Sequence, residues 1–130
     1  VDPFITDDEL QAMGSMGDLF AEVPLERRDA ARAAATAEAV SYLRAFAAPP
    51  YTSVGDDVKQ AVADIASYRC ASDHGYRPDG TAADIRQRFD DAMDWLKMVA
   101  SGAVTPDLVP AVVPITRFRA RVLSREPRGW

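Results

Sequence analysis

Two adjacent prolines, Pro49-Pro50, forbid any regular helix from running through the first half of this chain. Each removes a backbone donor and disfavours helical backbone at the residue before it. Upstream lies an alanine-rich run, residues 30–39, with high helix propensity. Thr36, Ala39, Val40, Leu43, Phe46 and Ala47 recur at helical spacing on one face. The pattern predicts a long helix that opens with Pro24 in its first turn. A break is expected near Arg28–Asp29, and Pro49-Pro50 is the stop.

Punctuation of the same kind divides the rest. Thr6-Asp7-Asp8-Glu9 has the spacing of a capping box and predicts a short helix to about Met13. Gly14 and Gly17 break it, and Asp18 to Val23 reads as a connection. Asp56 or Asp57 is expected to cap another helix with the stripe Val58, Ala61, Val62, Ile65 and Tyr68. Gly75 is its expected stop, and Arg77-Pro78-Asp79-Gly80 is a turn signal. The last helix opens at Thr81 with the stripe Ile85, Phe89, Ala92, Met93, Leu96 and Val99, with Trp95 beside it. Gly102 ends it. The fold class expected is all-α: a compact bundle of about four helices, one short and three longer.

Beyond residue 102 the pattern changes. Pro106, Pro110 and Pro114 recur every four residues. Such a segment is no regular helix and lacks the spacing of a central strand. It reads as an extended arm, so the expected division is a helical domain at 1–102 and a C-terminal arm at 103–130. Within the arm, Arg117, Arg119 and Arg121 would share one face of a strand, with Thr116, Phe118, Ala120 and Val122 on the other. Arg117, Arg121 and Arg125 also share a helical face, and both readings remain open.

Charge sets this arm apart. The net charge is −5 overall. Residues 1–116 carry 10 basic and 19 acidic side chains, whereas 117–130 carry five Arg and one Glu. An acidic body argues against a chain whose main surface binds DNA. A basic tail suits an acidic surface, protein or nucleic acid. Its arginines are interleaved with Phe118, Val122, Leu123 and Trp130, and Arg with aromatic residues is the composition of interface anchors. Docking on a protein partner through Arg117, Phe118, Arg119, Arg121, Val122, Arg125 and Trp130 is therefore expected. Alanine accounts for 23 of the 62 apolar residues. Alanine buries little area, so the core of one copy should be thin and its stability partly borrowed from neighbours.

Candidate chemistry is sparse. Cys70 is the one cysteine and His74 the one histidine. Their spacing puts them on one helical face, but a zinc site needs more ligands and a Cys–His nucleophile pair needs an orienting group. Asp84, Asp90, Asp91 and Asp94 lie on the last helix beside Arg86 and Arg88. Surface ion pairs account for them more simply than a divalent metal does. There is no P-loop spacing and no Gly-x-Ser-x-Gly elbow. No cofactor, metal or catalytic residue is expected, and an enzyme is not the expected class. No membrane-spanning stretch occurs, and the opening Val1-Asp2-Pro3-Phe4 lacks a signal peptide's basic and apolar regions.

Four segments occur in order: Arg28-Asp29-Ala30 to Ser41-Tyr42-Leu43; Pro49-Pro50-Tyr51; Val62-Ala63-Asp64-Ile65-Ala66-Ser67-Tyr68-Arg69; and Arg88-Phe89-Asp90-Asp91-Ala92-Met93-Asp94-Trp95-Leu96 to Gly102. With Thr6-Asp7-Asp8-Glu9-Leu10 before them, they resemble the Mu-like prophage family of head–tail connector proteins over residues 4–105. Here both prolines precede Tyr51 where the family's Pro follows the loop Tyr, and Cys70 stands where Leu is common.

The resemblance implies a head–tail adaptor, or head-completion protein, of a tailed phage or phage-like particle. It implies a homo-oligomeric ring, dodecameric by family resemblance, between the portal protein and a tail-side connector or terminator. DNA would pass through that ring without specific binding, and the C-terminal arm would reach the portal or an adjacent subunit. The implied location is the virion, after synthesis in the bacterial host cytoplasm. The alternative reading is a small helical nucleic-acid-associated or regulatory module whose basic tail binds DNA.

Overall fold

A computed structural model describes residues 2–73 and 80–111 of the chain. Five helices and two short strands follow one another: α1 (Asp7–Met13), α2 (Leu19–Glu22), α3 (Leu25–Leu43), β1 (Tyr51–Val54), α4 (Asp56–Asp73), α5 (Gly80–Ser101) and β2 (Leu108–Pro110). The helical character expected from the sequence is present, with a two-stranded sheet added to it.

The helix ends follow from local chemistry. The Thr6 hydroxyl accepts from the Glu9 amide at 3.1 Å, and the Glu9 carboxylate accepts from the Thr6 amide at 3.0 Å. The capping box is complete, and two otherwise orphaned donors are satisfied. That amide and the Lys59 ammonium beside it hold the Glu9 carboxyl below its ordinary value. At the far end of α5, Gly102 has φ +85. Its amide reaches the Val99 carbonyl at 3.1 Å, and the Ala103 amide reaches Met98 at 2.9 Å. These are the two bonds of a Schellman stop, and the left-handed backbone it needs favours glycine.

α4 is the central helix. α3 and α5 pack along it most extensively, and α1 crosses it. Residues 61–67 are buried without a break, so this helix has no solvated face over two turns. Helices buried all round lose the usual amphipathic contrast. Small residues make the approach possible: Ala61, Ala63, Ala66 and Ala71 are buried on α4, and Ala31, Ala35 and Ala39 on α3. Larger side chains fill the remaining space, chiefly Leu10, Leu43, Val58, Val62, Ile65, Ile85 and Leu96. Each contributes about 1.5–3 kcal/mol on full burial. The buried hydroxyls of Thr36 and Ser67 are bonded: the Thr36 hydroxyl accepts from the Phe4 amide, and the Ser67 hydroxyl donates to the Ala63 carbonyl and accepts from the Ser15 amide.

Three local expectations are corrected. No break occurs at Arg28–Asp29; α3 runs through it. The charges there are engaged, Arg28 with Asp7 and Asp29 with Arg32. Residues 18–23 contain the helical turn α2 rather than a plain connection. α3 stops at Leu43, before the prolines, and Phe46 is 44% exposed. The bonds after Leu43 tighten to three-residue spacing, Ala45 to Tyr42 and Phe46 to Leu43. Tighter winding shifts the angular phase, so Phe46 leaves the face shared by Ala39 and Leu43. The Pro49–Pro50 peptide bond is cis.

The segment read as an extended arm begins, within the described residues, as β2. It pairs antiparallel with β1: Val54 opposite Leu108, Ser53 opposite Val109 and Tyr51 opposite Pro110, with a bulge between Tyr51 and Ser53. Leu108 is buried in the core, and Val109 on the opposite face is 47% exposed. Asp57 ties this sheet to α4: one carboxylate oxygen accepts from the Val58 amide at 2.7 Å and the other from the Asp107 amide at 3.0 Å.

Candidate functional site

The residues that carry the third and fourth sequence motifs face one another. Asp64 and Tyr68 lie one turn apart on α4; Arg88 and Phe89 are neighbours on α5. The Arg88 guanidinium approaches the Asp64 carboxylate at 3.8 Å, and Asp84 sits on its other side at 3.8 Å. Tyr68 and Phe89 stack with ring centroids 4.1 Å apart and planes 17° from parallel. The Arg86 guanidinium lies over the Tyr68 ring, 5.9 Å from its centroid. Stacked aromatic pairs add about 0.5–1.5 kcal/mol beyond their burial. The motifs thus interlock two helices.

Asp64 is buried where α1, α4 and α5 meet. The Gln60 amide donates to its Oδ1 at 3.1 Å and to the Met13 carbonyl at 2.8 Å. Burial pushes the Asp64 carboxyl up to about 6, against the opposing pull of Gln60 and Arg88. Asp84 and Asp91 add to the rise. The sequence hid this group because an aspartate on an apolar helix reads as a solvated residue until both flanking helices are placed.

A second hub joins the N-terminal segment to the bundle. The Arg28 guanidinium donates to both Asp7 carboxylate oxygens, at 2.9 and 3.0 Å, and to the carbonyls of Val23 and Phe20, at 2.7 and 3.2 Å. It also lies 4.3 Å from the Phe20 ring centroid. One guanidinium thus fixes α1, the end of α2 and the start of α3 relative to one another.

Next to the Tyr68–Phe89 stack runs a groove of about 450 Å³. Ala30, Ala31 and Ala34 of α3 form one wall, and Arg69 with Glu38 spans its rim at 3.5 Å. A different surface lies at the opposite end of α4, around the sheet. Thr52, Ser53, Asp56, Asp57 and Asp107 are exposed there. Three carboxylates cluster where β1 leads into α4 and the chain enters β2.

Among the described residues, the catalytic candidates do not come together. Cys70 is buried and unbonded to another cysteine, and burial pushes its thiol up to about 11. A thiol so raised is protonated at neutral pH and is a poor nucleophile or ligand. His74 lies outside the described residues. On α5, Arg86 pairs with Asp90 at 3.4 Å, Arg88 with Asp84, and Gln87 donates to Asp91 at 2.9 Å. No group of three or more His, Cys, Asp or Glu among the described residues is arranged to hold a metal ion. No described helix is long and apolar enough to cross a membrane. The expected docking residues Arg117, Phe118, Arg119, Arg121, Val122, Arg125 and Trp130 all lie outside the described residues.

Residues 5–116 match the family described as Bacteriophage Mu, Gp36. No curated protein and no solved structure matches the chain. The match ends at residue 116, where the arginine-rich segment begins.

Proposed function

We propose that this chain, which belongs to the bacteriophage Mu Gp36 family, is a non-enzymatic structural subunit of the phage particle. Its role in this reading is that of a head–tail adaptor, forming a ring between portal and tail. The helical body builds the ring, and the C-terminal arm docks on the portal or on an adjacent subunit. In the arm, Arg117, Arg119, Arg121 and Arg125 pair with partner carboxylates, while Phe118, Val122 and Trp130 fill apolar pockets.

The observation that carries this reading is the separation of charge along the chain. The body through residue 116 is strongly acidic, and five arginines follow it with one glutamate among them. A body of like charge repels acidic surfaces and DNA alike, so a basic arm is the natural point of attachment to a neighbour. Arginine forms bidentate pairs with carboxylates, and interleaved apolar residues add contacts that salt does not screen. A DNA channel lined by such a body would let the duplex slide without being held.

The test is co-purification of the full chain with particles over a range of salt. Retention of the chain on particles emptied of DNA, at salt that strips phosphate contacts, is expected. The competing reading, a module whose tail binds DNA, rests on the same five arginines. It requires loss of binding with salt at the steep slope of phosphate neutralisation.

A further inference from the structure

We infer that the outer edge of β1 is a strand-addition site for the arm of a second copy of this chain, with residues 115–122 as the added strand. This rests on the ring-forming reading above and names the surface through which one copy would hold the next.

The sheet is unfinished on one side. It has two strands of four and three residues, among the described residues, and pairs of this size are marginal by themselves. The edges differ. The Asp107 carbonyl accepts from the Gly55 amide and the Ala111 amide donates to the Pro50 carbonyl. Strand alternation therefore turns Val109 toward β1 and Leu108 outward, while at the bulge the Pro110 carbonyl accepts from the Thr52 hydroxyl at 3.4 Å. Pro110 has no N–H, so Leu108 supplies the one amide donor on the outer edge of β2. On β1, alternation turns Val54 outward with both its amide and its carbonyl, and Thr52 in the bulge is exposed. Among the described elements, only β2 packs extensively against β1.

The occupant follows from the position of the last described residue and from charge. The described part stops at Ala111, beside the sheet itself. Residues 115–122 alternate arginine with Thr116, Phe118, Ala120 and Val122, a pattern of period two. Their own copy is a poor acceptor. Residues 112–114 would have to carry the chain over the start of β1, across two strand spacings of about 4.8 Å each, and three residues extended to about 3.6 Å apiece leave almost no length to arch over it. A neighbouring copy imposes no such limit. The Asp56, Asp57 and Asp107 carboxylates stand at the end of β1, opposite in sign to Arg117, Arg119 and Arg121. Main-chain bonds would supply the affinity and the carboxylates the register, as in other strand-addition complexes.

Disulfide trapping in full-length chains tests this. Thr52→Cys chains are mixed with tagged chains carrying a single cysteine at successive positions from Thr116 to Val122. Cys70 is buried and does not compete. Inter-chain disulfides are expected, with a yield alternating by several-fold between successive positions, as a strand requires. Yields no higher than those from a control pair using Ser101→Cys overturn the inference. So does a disulfide formed solely within one chain in the Thr52→Cys, Phe118→Cys double variant, because the arm would then fold back on its own copy. Unchanged far-ultraviolet circular dichroism establishes that each variant is folded. The adaptor reading fails separately, if the chain is not found in particles at all.

Discussion

Arg88 and Asp64 meet across the α4–α5 interface at 3.8 Å, one turn from the stacked rings of Tyr68 and Phe89. An ion pair and an aromatic pair, set side by side, fix both the register and the rotation of two helices. Both pairs lock α4 and α5 of the helical body against each other.

Asp64 makes that body sensitive to pH. Its carboxyl is raised from 3.8 to about 6 in the folded chain, mainly by burial. The folded state therefore binds the proton more tightly than the unfolded state does. The stability from this group is fully present below about pH 4 and is lost as pH rises through about 6, a change of about 3 kcal/mol. Urea unfolding between pH 4 and 7 measures it. Asp64→Asn is expected to flatten that slope while staying within about 1 kcal/mol of the parent at pH 7.5, since Gln60 retains an acceptor. An unchanged slope in the variant would place the titrating group elsewhere.

Arg28 is the clamp on the N-terminal segment. Its four hydrogen bonds join Asp7, Phe20 and Val23 to α3. Arg28→Ala is expected to cost about 2–3 kcal/mol, the range for charge-assisted bonds that are partly shielded from water. Arg28→Lys should recover less than half of this, because an ammonium does not reproduce the bidentate fork. Hydrogen exchange should locate the loosening in residues 7–23, with α4 and α5 still protected. Equal loosening throughout would mean that the clamp is not local.

Gly102 tests the Schellman stop in isolation. Its φ of +85 is left-handed, and no heavy atom lies near the position of an added Cβ. Gly102→Ala is therefore expected to cost about 1 kcal/mol through backbone strain alone. A larger loss, measured by thermal or urea unfolding, would point to a packing role for this turn.

Much of the helical frame was legible because its signals are local. The Thr6–Glu9 box, the glycine after Ser101 and the stripe from Ile85 to Val99 each lie within one or a few turns. The errors share a different cause. Arg28 and Asp29 read as a break because the partner of Arg28 is Asp7, 21 residues away. β1 escaped notice because its partner strand lies more than fifty residues on, as the Thr52–Pro110 contact shows with a separation of 58. A strand of four residues with Thr and Ser at its centre has no periodic signal of its own. The burial of Asp64 is likewise a property of three packed helices and of no single one. Motif order exposed the Asp64–Tyr68 and Arg88–Phe89 segments, and geometry supplied the reason they occur together.

Truncation after Pro114 removes the basic arm through which, in the proposed function, the acidic helical body joins particles. The amount of chain per purified particle is the measurement. The truncated chain is expected to keep its helical circular dichroism and to lose at least tenfold in incorporation. Incorporation at the level of the full chain would rule out the arm as the anchor.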